Sequence, residues 1–168
     1  LAWFASQVNS GSSSIKAKLT ADISLNEEGS KERVWTPIGT ESSPFKGELD
    51  GNGFTISGLF VDGSNDYSGL FGYVYADKPN VDDNDNTSET IFVAEPVKMI
   101  YNLKVTNASV SGGQNVGGIA GYIHYAIISG CSFSGTVNGT NNSVGGICGY
   151  AFNYSVVEQC YSEGSVSG

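Results

Sequence analysis

The chain has 168 residues, 39% of them hydrophobic, which is enough for one packed domain or one stretch of a repeat protein. Its net charge is −9, from 17 acidic against 8 basic residues, and no Lys or Arg follows Lys104. That balance excludes nucleic acid and anionic membrane surfaces, which both call for Lys/Arg patches, and no apolar run approaches the ~20 residues of a membrane span.

Taken in order, Leu1–Val8 places Leu1, Phe4 or Ala5, and Val8 at helical spacing, and Asn9-Ser10-Gly11 then supplies a stop. Such a helix, in a cap over residues 1–14, would cover the open edge of a strand stack. Ile15–Leu25 alternates apolar and polar residues and reads as one half-buried strand. Extended pieces follow at Trp35–Gly39 and Phe45–Leu49. Asp50-Gly51-Asn52-Gly53 is a turn, and Phe54–Val61 is the next strand.

The chain then repeats itself. Val116–Tyr122 reads VGGIAGY, Val144–Tyr150 reads VGGICGY, and the flanks after each copy also match. The interval from Val116 to Val144 is the period. An older echo is SGLFGYV at Ser68–Val74, separated from the next copy by one period plus an insertion. A near-constant period of this length signals a coiled, repeated architecture. The phrases beginning at Ile56, Ile100, Ile128 and Val157 also align. They predict one inward column of Leu59, Leu103, Cys131 and Cys160. The motif glycines are expected to supply sharp bends or positive φ. Residues 75–99 hold the extra length and are expected to form a loop or hairpin on the side of the coil.

GLFG (Gly69–Gly72), GIAG (Gly118–Gly121) and GICG (Gly146–Gly149) resemble the GLUG motif of bacterial surface and secreted proteins, among them adhesins and IgA-peptidase-like proteins. The resemblance implies an all-β fold, a right-handed parallel β-helix (solenoid) with a short N-terminal capping helix and one side insertion. Residues 116–168 would form two GLUG-like coils, and the whole chain one monomeric segment of a larger protein. It also implies a secreted or cell-surface, non-enzymatic module, for adhesion to a host or matrix glycan or protein, or for a rigid stalk. An accessory role in a larger secreted enzyme, or glycan binding or cleavage by the coil itself, are the alternatives.

The chemistry-bearing residues are few. The three cysteines fit no closed disulfide framework, and Cys131 and Cys160 read as free, buried thiols. His124 is the single imidazole, placed on a turn with no nucleophile motif beside it. The carboxylates form no evident glycosidase pair. Asp83 and Asp85, with Glu89 beyond, present oxygen ligands as a Ca²⁺ loop does, so Ca²⁺ is the one cofactor the sequence raises. Tyr73, Tyr122 and Tyr150 hold one position in the three motif copies. If Leu70, Gly72 and Val74 face the core, the tyrosines project outward as a ladder, together with Phe71, Ala120 and Cys148.

Overall fold

The computed structural model describes residues 1–77 and 96–168. One helix, Ala2–Asn9, is followed among the described residues by strands that wind into a parallel β-solenoid of about five turns. Each turn visits the same faces in the same order. Face A stacks Lys16–Lys18, Glu48–Asp50, Val97–Tyr101, Ala126–Ser129 and Val156–Glu158. Face B stacks Ile23–Ser24, Thr55–Ser57, Lys104–Gly112, Ser132–Gly139 and Tyr161–Ser167. A short pair, Val116–Gly117 with Val144–Gly145, leads into face C, made of Phe71–Tyr75, Ala120–His124 and Cys148–Phe152. Isolated bridges from Ile38 to Phe71 and from Phe45 to Val74 bring the first turn onto face C.

Register explains the sequence period. Tyr122 lies opposite Tyr150, and Ile128 opposite Val157, so one coil consumes one period of the sequence repeat. Strand neighbours sit ~4.8 Å apart, so equivalent residues of successive coils touch. The inner columns are accordingly apolar and sealed. Leu49, Ile100 and Ile128 line face A, Ile56, Val105 and Phe133 line face B, and Val74 and Ile123 line face C, all at 2% exposure or less. Burial of each such side chain is worth ~1.5–3 kcal/mol against leaving it in water.

The helix closes the first coil. Phe4, Ala5 and Val8 are buried, and the Phe4 ring meets Phe45 edge-on at 5.7 Å. Asn9, the last helical residue, fixes the exit. Its Nδ2 donates to the Pro37 carbonyl at 3.0 Å, and its Oδ1 accepts from the Gly39 amide at 2.8 Å.

Four expectations need correction. The alternating run Ile15–Leu25 is two strands, on faces A and B, joined by a corner where Ala21 is exposed. Alternation continues through a corner, so period two cannot reveal one. Leu59 is buried but belongs elsewhere. Ile56 pairs with Val105 on face B, while Ile100 pairs with Leu49 on face A. The column of Leu103, Cys131 and Cys160 therefore holds without Leu59, as the pairings of Lys104 and Tyr161 with Ser132 require. Phe71 and Ala120 point inward with the core and are fully buried. Lastly, none of the motif glycines has positive φ. Their role is close approach: a Cβ on Gly121 would lie 2.5 Å from the Asn115 carbonyl oxygen, and one on Gly118 would lie 2.3 Å from the Phe133 ring. Positive φ falls instead at the corners, where Asn102, Gly130 and Gln159 follow one another in successive coils.

Candidate functional site

The outer surface of face C is the candidate site. Its geometry begins at Gly72, Gly121 and Gly149. There the strand crosses so close to neighbouring backbone that no side chain fits, and alternation shifts by one. Phe71 and Ala120 enter the core before that point. After it Val74 and Ile123 point in while Tyr73, Tyr122 and Tyr150 point out. Tyr73 and Tyr122 stack at 4.4 Å with 25° between planes, and Tyr122 meets Tyr150 at 5.7 Å. Tyr67, from the preceding corner, sets its ring edge-on to Tyr73 at 5.0 Å and to Tyr122 at 5.9 Å.

Tyr73 and Tyr122 are half-buried, and Tyr150 is 42% exposed. The ring faces cover one another, so the ladder offers solvent mainly its edges and hydroxyls. Burial, with the neighbouring tyrosines, raises the Tyr122 phenol well above its ordinary range. At physiological pH that hydroxyl is therefore a neutral donor and acceptor.

A second column runs beside the first, and sequence reasoning missed it. Tyr75, His124 and Phe152 stand two residues beyond the three ladder tyrosines. The signal was present in YVY, YIH and YAF, read at the same alignment. The imidazole lies parallel to Tyr75 at 4.5 Å, and Phe152 covers its other side at 5.6 Å. His124 sits at the end of a strand rather than on a turn, and it is buried. Its Nε2 pairs with Asn153 Nδ2 at 3.0 Å, and its Nδ1 has no partner among the described residues. Burial lowers its pKa and favours the neutral ring.

The remaining sequence candidates lie elsewhere. Cys131 and Cys160 are free thiols in adjacent coils, at the corner between faces A and B rather than on face C. Cys131 donates to the Ser129 carbonyl at 3.4 Å, and Cys160 to that of Glu158 at 3.1 Å. Asp83, Asp85 and Glu89 fall outside the described residues. Among the described residues no three His, Cys, Asp or Glu side chains gather as a metal site. No described helix is long and apolar enough to cross a membrane.

Comparison with known proteins agrees with this geometry. The GLUG motif matches residues 112–138 and 140–167, and each match holds one strand of face C, then one of face A, then one of face B. Gly69–Gly72 lies outside the matched residues yet keeps structural register with them, since Phe71 pairs with Ala120. Over 136 residues, 80% of this chain, the sequence is 32% identical to halomucin of the archaeon Haloquadratum walsbyi. The chain spans about 1% of the length of that protein. No solved structure matches.

Proposed function

We propose that this chain, which carries the GLUG motif on a parallel β-solenoid, is a non-enzymatic binding module of a surface or secreted protein. Its recognition surface is the aromatic outer face centred on Tyr73, Tyr122 and Tyr150. The observation that carries the reading is the in-register repetition of these rings at the surface of face C. Solenoid coils place one side chain per coil at ~4.8 Å intervals, which suits an extended ligand read along the axis. Tyrosine adds apolar area, few rotatable bonds and a polar tip. The likeness to halomucin supports a surface or secreted setting. It also lifts the restriction to bacteria that the motif had implied, so the proposal names no kind of host.

A structural reading has its own support, because the rings stack on one another and would stiffen a stalk. Replacing Tyr122 and Tyr150 together by Ala in the intact protein separates the two. Binding through this face predicts lost attachment to the target with an unchanged β-rich circular dichroism spectrum. Undiminished attachment would assign the ladder to stiffness alone.

A further inference from the structure

A cleft of about 350 Å³ opens beside the ladder, between the first-coil segment around Val34–Glu41 and the second-coil segment around Val61–Ser68. Its lining includes Trp35, Thr36, Glu41, Asp62, Asn65 and Tyr67. Tyr67 is shared, because it lines the cleft and its ring touches both Tyr73 and Tyr122. Cleft and ladder are thus one continuous surface.

We infer that this cleft is a subsite for an uncharged sugar ring, the terminal or side unit of a neutral glycan whose chain continues along the tyrosine ladder. The inference rests on the reading of face C as the recognition surface and adds the chemical class of the ligand.

Charge narrows that class first. The lining holds Glu41, Asp62 and Asp66 but no Lys or Arg. Uronates, sulfated sugars and phosphates would meet only like charge there. Hydrogen-bond chemistry narrows it again. Asp66 is already engaged, its Oδ1 accepting from the Gln114 amide at 2.9 Å and its Oδ2 from Gln114 Nε2 at 3.1 Å. Glu41 and Asp62 are left as acceptors, beside the Thr36 hydroxyl and the Asn65 amide as donors. An ammonium ligand uses only the acceptors, whereas a sugar hydroxyl uses both kinds. Aromatic surface is supplied by half-buried Tyr67, while Trp35, only 9% exposed and anchored by its Nε1–H to the Leu70 carbonyl at 3.0 Å, forms the fixed floor that joins the cleft to the core.

Backbone conformation adds a second line. Tyr67 has φ 60°, and the residues at its position in the next coils are Asn115 (φ 54°) and Ser143 (φ 67°). Asn is a tolerant occupant of left-handed backbone and a bulky ring a costly one, a cost this chain also meets at Tyr125 (φ 50°) and Tyr154 (φ 53°). The first of these coils, alone of the three, carries the ring, and only there does the cleft adjoin the corner.

Trp35 provides the readout. Trp3 and Trp35 are the two tryptophans, and Trp3 is 69% exposed on the helix, so Trp3→Phe leaves Trp35 as the single reporter. That variant is titrated with neutral hexasaccharides (cello-, malto-, manno- and chitohexaose), with a hexauronate and with hexalysine. The expected result is a saturable change in Trp35 emission with a neutral hexasaccharide, unaltered by 0.5 M NaCl, and none with the hexauronate. Tyr67→Asn, which keeps a residue suited to this backbone, should weaken it at least tenfold, and so should Asp62→Asn. A response to hexalysine alone, abolished by salt, would make the cleft a cation site and overturn the inference. A response to none of the probes, or one that survives Tyr67→Asn, would also overturn it. The same titration on Tyr122→Ala/Tyr150→Ala keeps the two readings apart. Lost attachment with a silent cleft retains the ladder and removes the sugar subsite. A responding cleft with undiminished attachment does the reverse.

Discussion

Faces A and C obey the same stacking rule and wear opposite chemistry. On face A the register column Lys18, Asp50, Tyr101, Ser129, Glu158 changes type at every coil, and Lys16 sits over Glu48. Lys16 reaches Glu48 at 3.0 Å and Lys18 reaches Asp50 at 3.3 Å. The Tyr101 hydroxyl also binds Glu48, and Asn102 binds Asp50 at 3.3 Å. On face C one residue type repeats through three coils. The difference follows from ~4.8 Å spacing: a charge stacked on its like is repelled, so ionic columns must alternate, whereas a ring gains by stacking on its like. Repetition of one residue type along the outside of a solenoid is therefore open to neutral side chains and closed to charged ones.

The largest expected effect lies beneath face C. Gly121→Ala would set a methyl 2.5 Å from the Asn115 carbonyl oxygen and 2.7 Å from the Tyr67 carbonyl carbon, both backbone. A loss of about 3 kcal/mol is expected in denaturant unfolding. Gly130→Ala, at the corner leaving face A, meets nothing closer than the Asn102 side chain at 3.3 Å and is strained only by φ 60°. It should cost about 1 kcal/mol, and Gly130→Asn less, since Asn102 already holds that conformation at φ 53°. Equal losses would mean that motif and corner glycines do the same job.

Next comes the ladder itself. Tyr122 touches Tyr67, Tyr73, Tyr150 and Phe152, so Tyr122→Ala removes four ring contacts from a half-buried site. About 2 kcal/mol is expected, short of unfolding the coil. A change within a few tenths of a kcal/mol would show that the rings stack without cohesion.

How much of this was legible in the sequence depended on whether a feature repeats. Tyr73, Tyr122 and Tyr150 align because coils repeat, and the structure stacks them as the alignment requires. Leu59 falls outside its expected column because the earlier coils are irregular. ISGL at Ile56 imitates the later phrases but lies on face B, while the true partner of Ile100 is Leu49 in an unrelated phrase. Strict alternation would turn Phe71 outward, yet it is fully buried, because alternation ignores the shift at Gly72, a packing event between backbones distant in the chain. The salt bridges of face A and the cleft at Tyr67 join unlike residues a whole coil apart, and no periodic signal marks such pairs.

Acid should dismantle the two faces in sequence. Burial lowers the His124 pKa from its ordinary 6.5, so the folded state binds that proton less readily than the unfolded chain. Its contribution is complete above about pH 6.5 and declines as pH falls through the lower folded value. Glu48 is lowered from 4.5, first by the Tyr101 hydrogen bond and then by Lys16. For Asp50 burial pushes upward, but hydrogen bonds from the Asn52 amide, Asn102 and Lys18 outweigh it, leaving the pKa below 3.8. The same sign applies, and these contributions fade only below about pH 4.5. Stability measured against pH should therefore show an early loss that His124→Phe removes and a later one that Glu48→Gln removes. A single loss below pH 4.5 in the unaltered protein would place His124 outside the coupled set.

The smallest effect belongs to the lysines. The Lys16 and Lys18 side chains are 76% and 59% exposed, so each ion pair is strongly screened. Their partners also do not depend on them. With Lys18 absent, Asp50 still accepts from the Asn52 amide at 2.8 Å and from Asn102, and no buried charge is stranded. A double-mutant cycle of Lys18→Ala with Asp50→Asn should give a coupling of at most about 1 kcal/mol, fading toward zero in 1 M NaCl. The parallel cycle on Tyr73→Ala with Tyr122→Ala should give about 1 kcal/mol that salt leaves unchanged, because ring stacking involves no net charge. That contrast in salt response is the direct signature of two faces built to one spacing from different forces. If the lysine coupling instead matched the ring coupling and survived 1 M NaCl undiminished, the charges of face A would be as structural as the rings of face C.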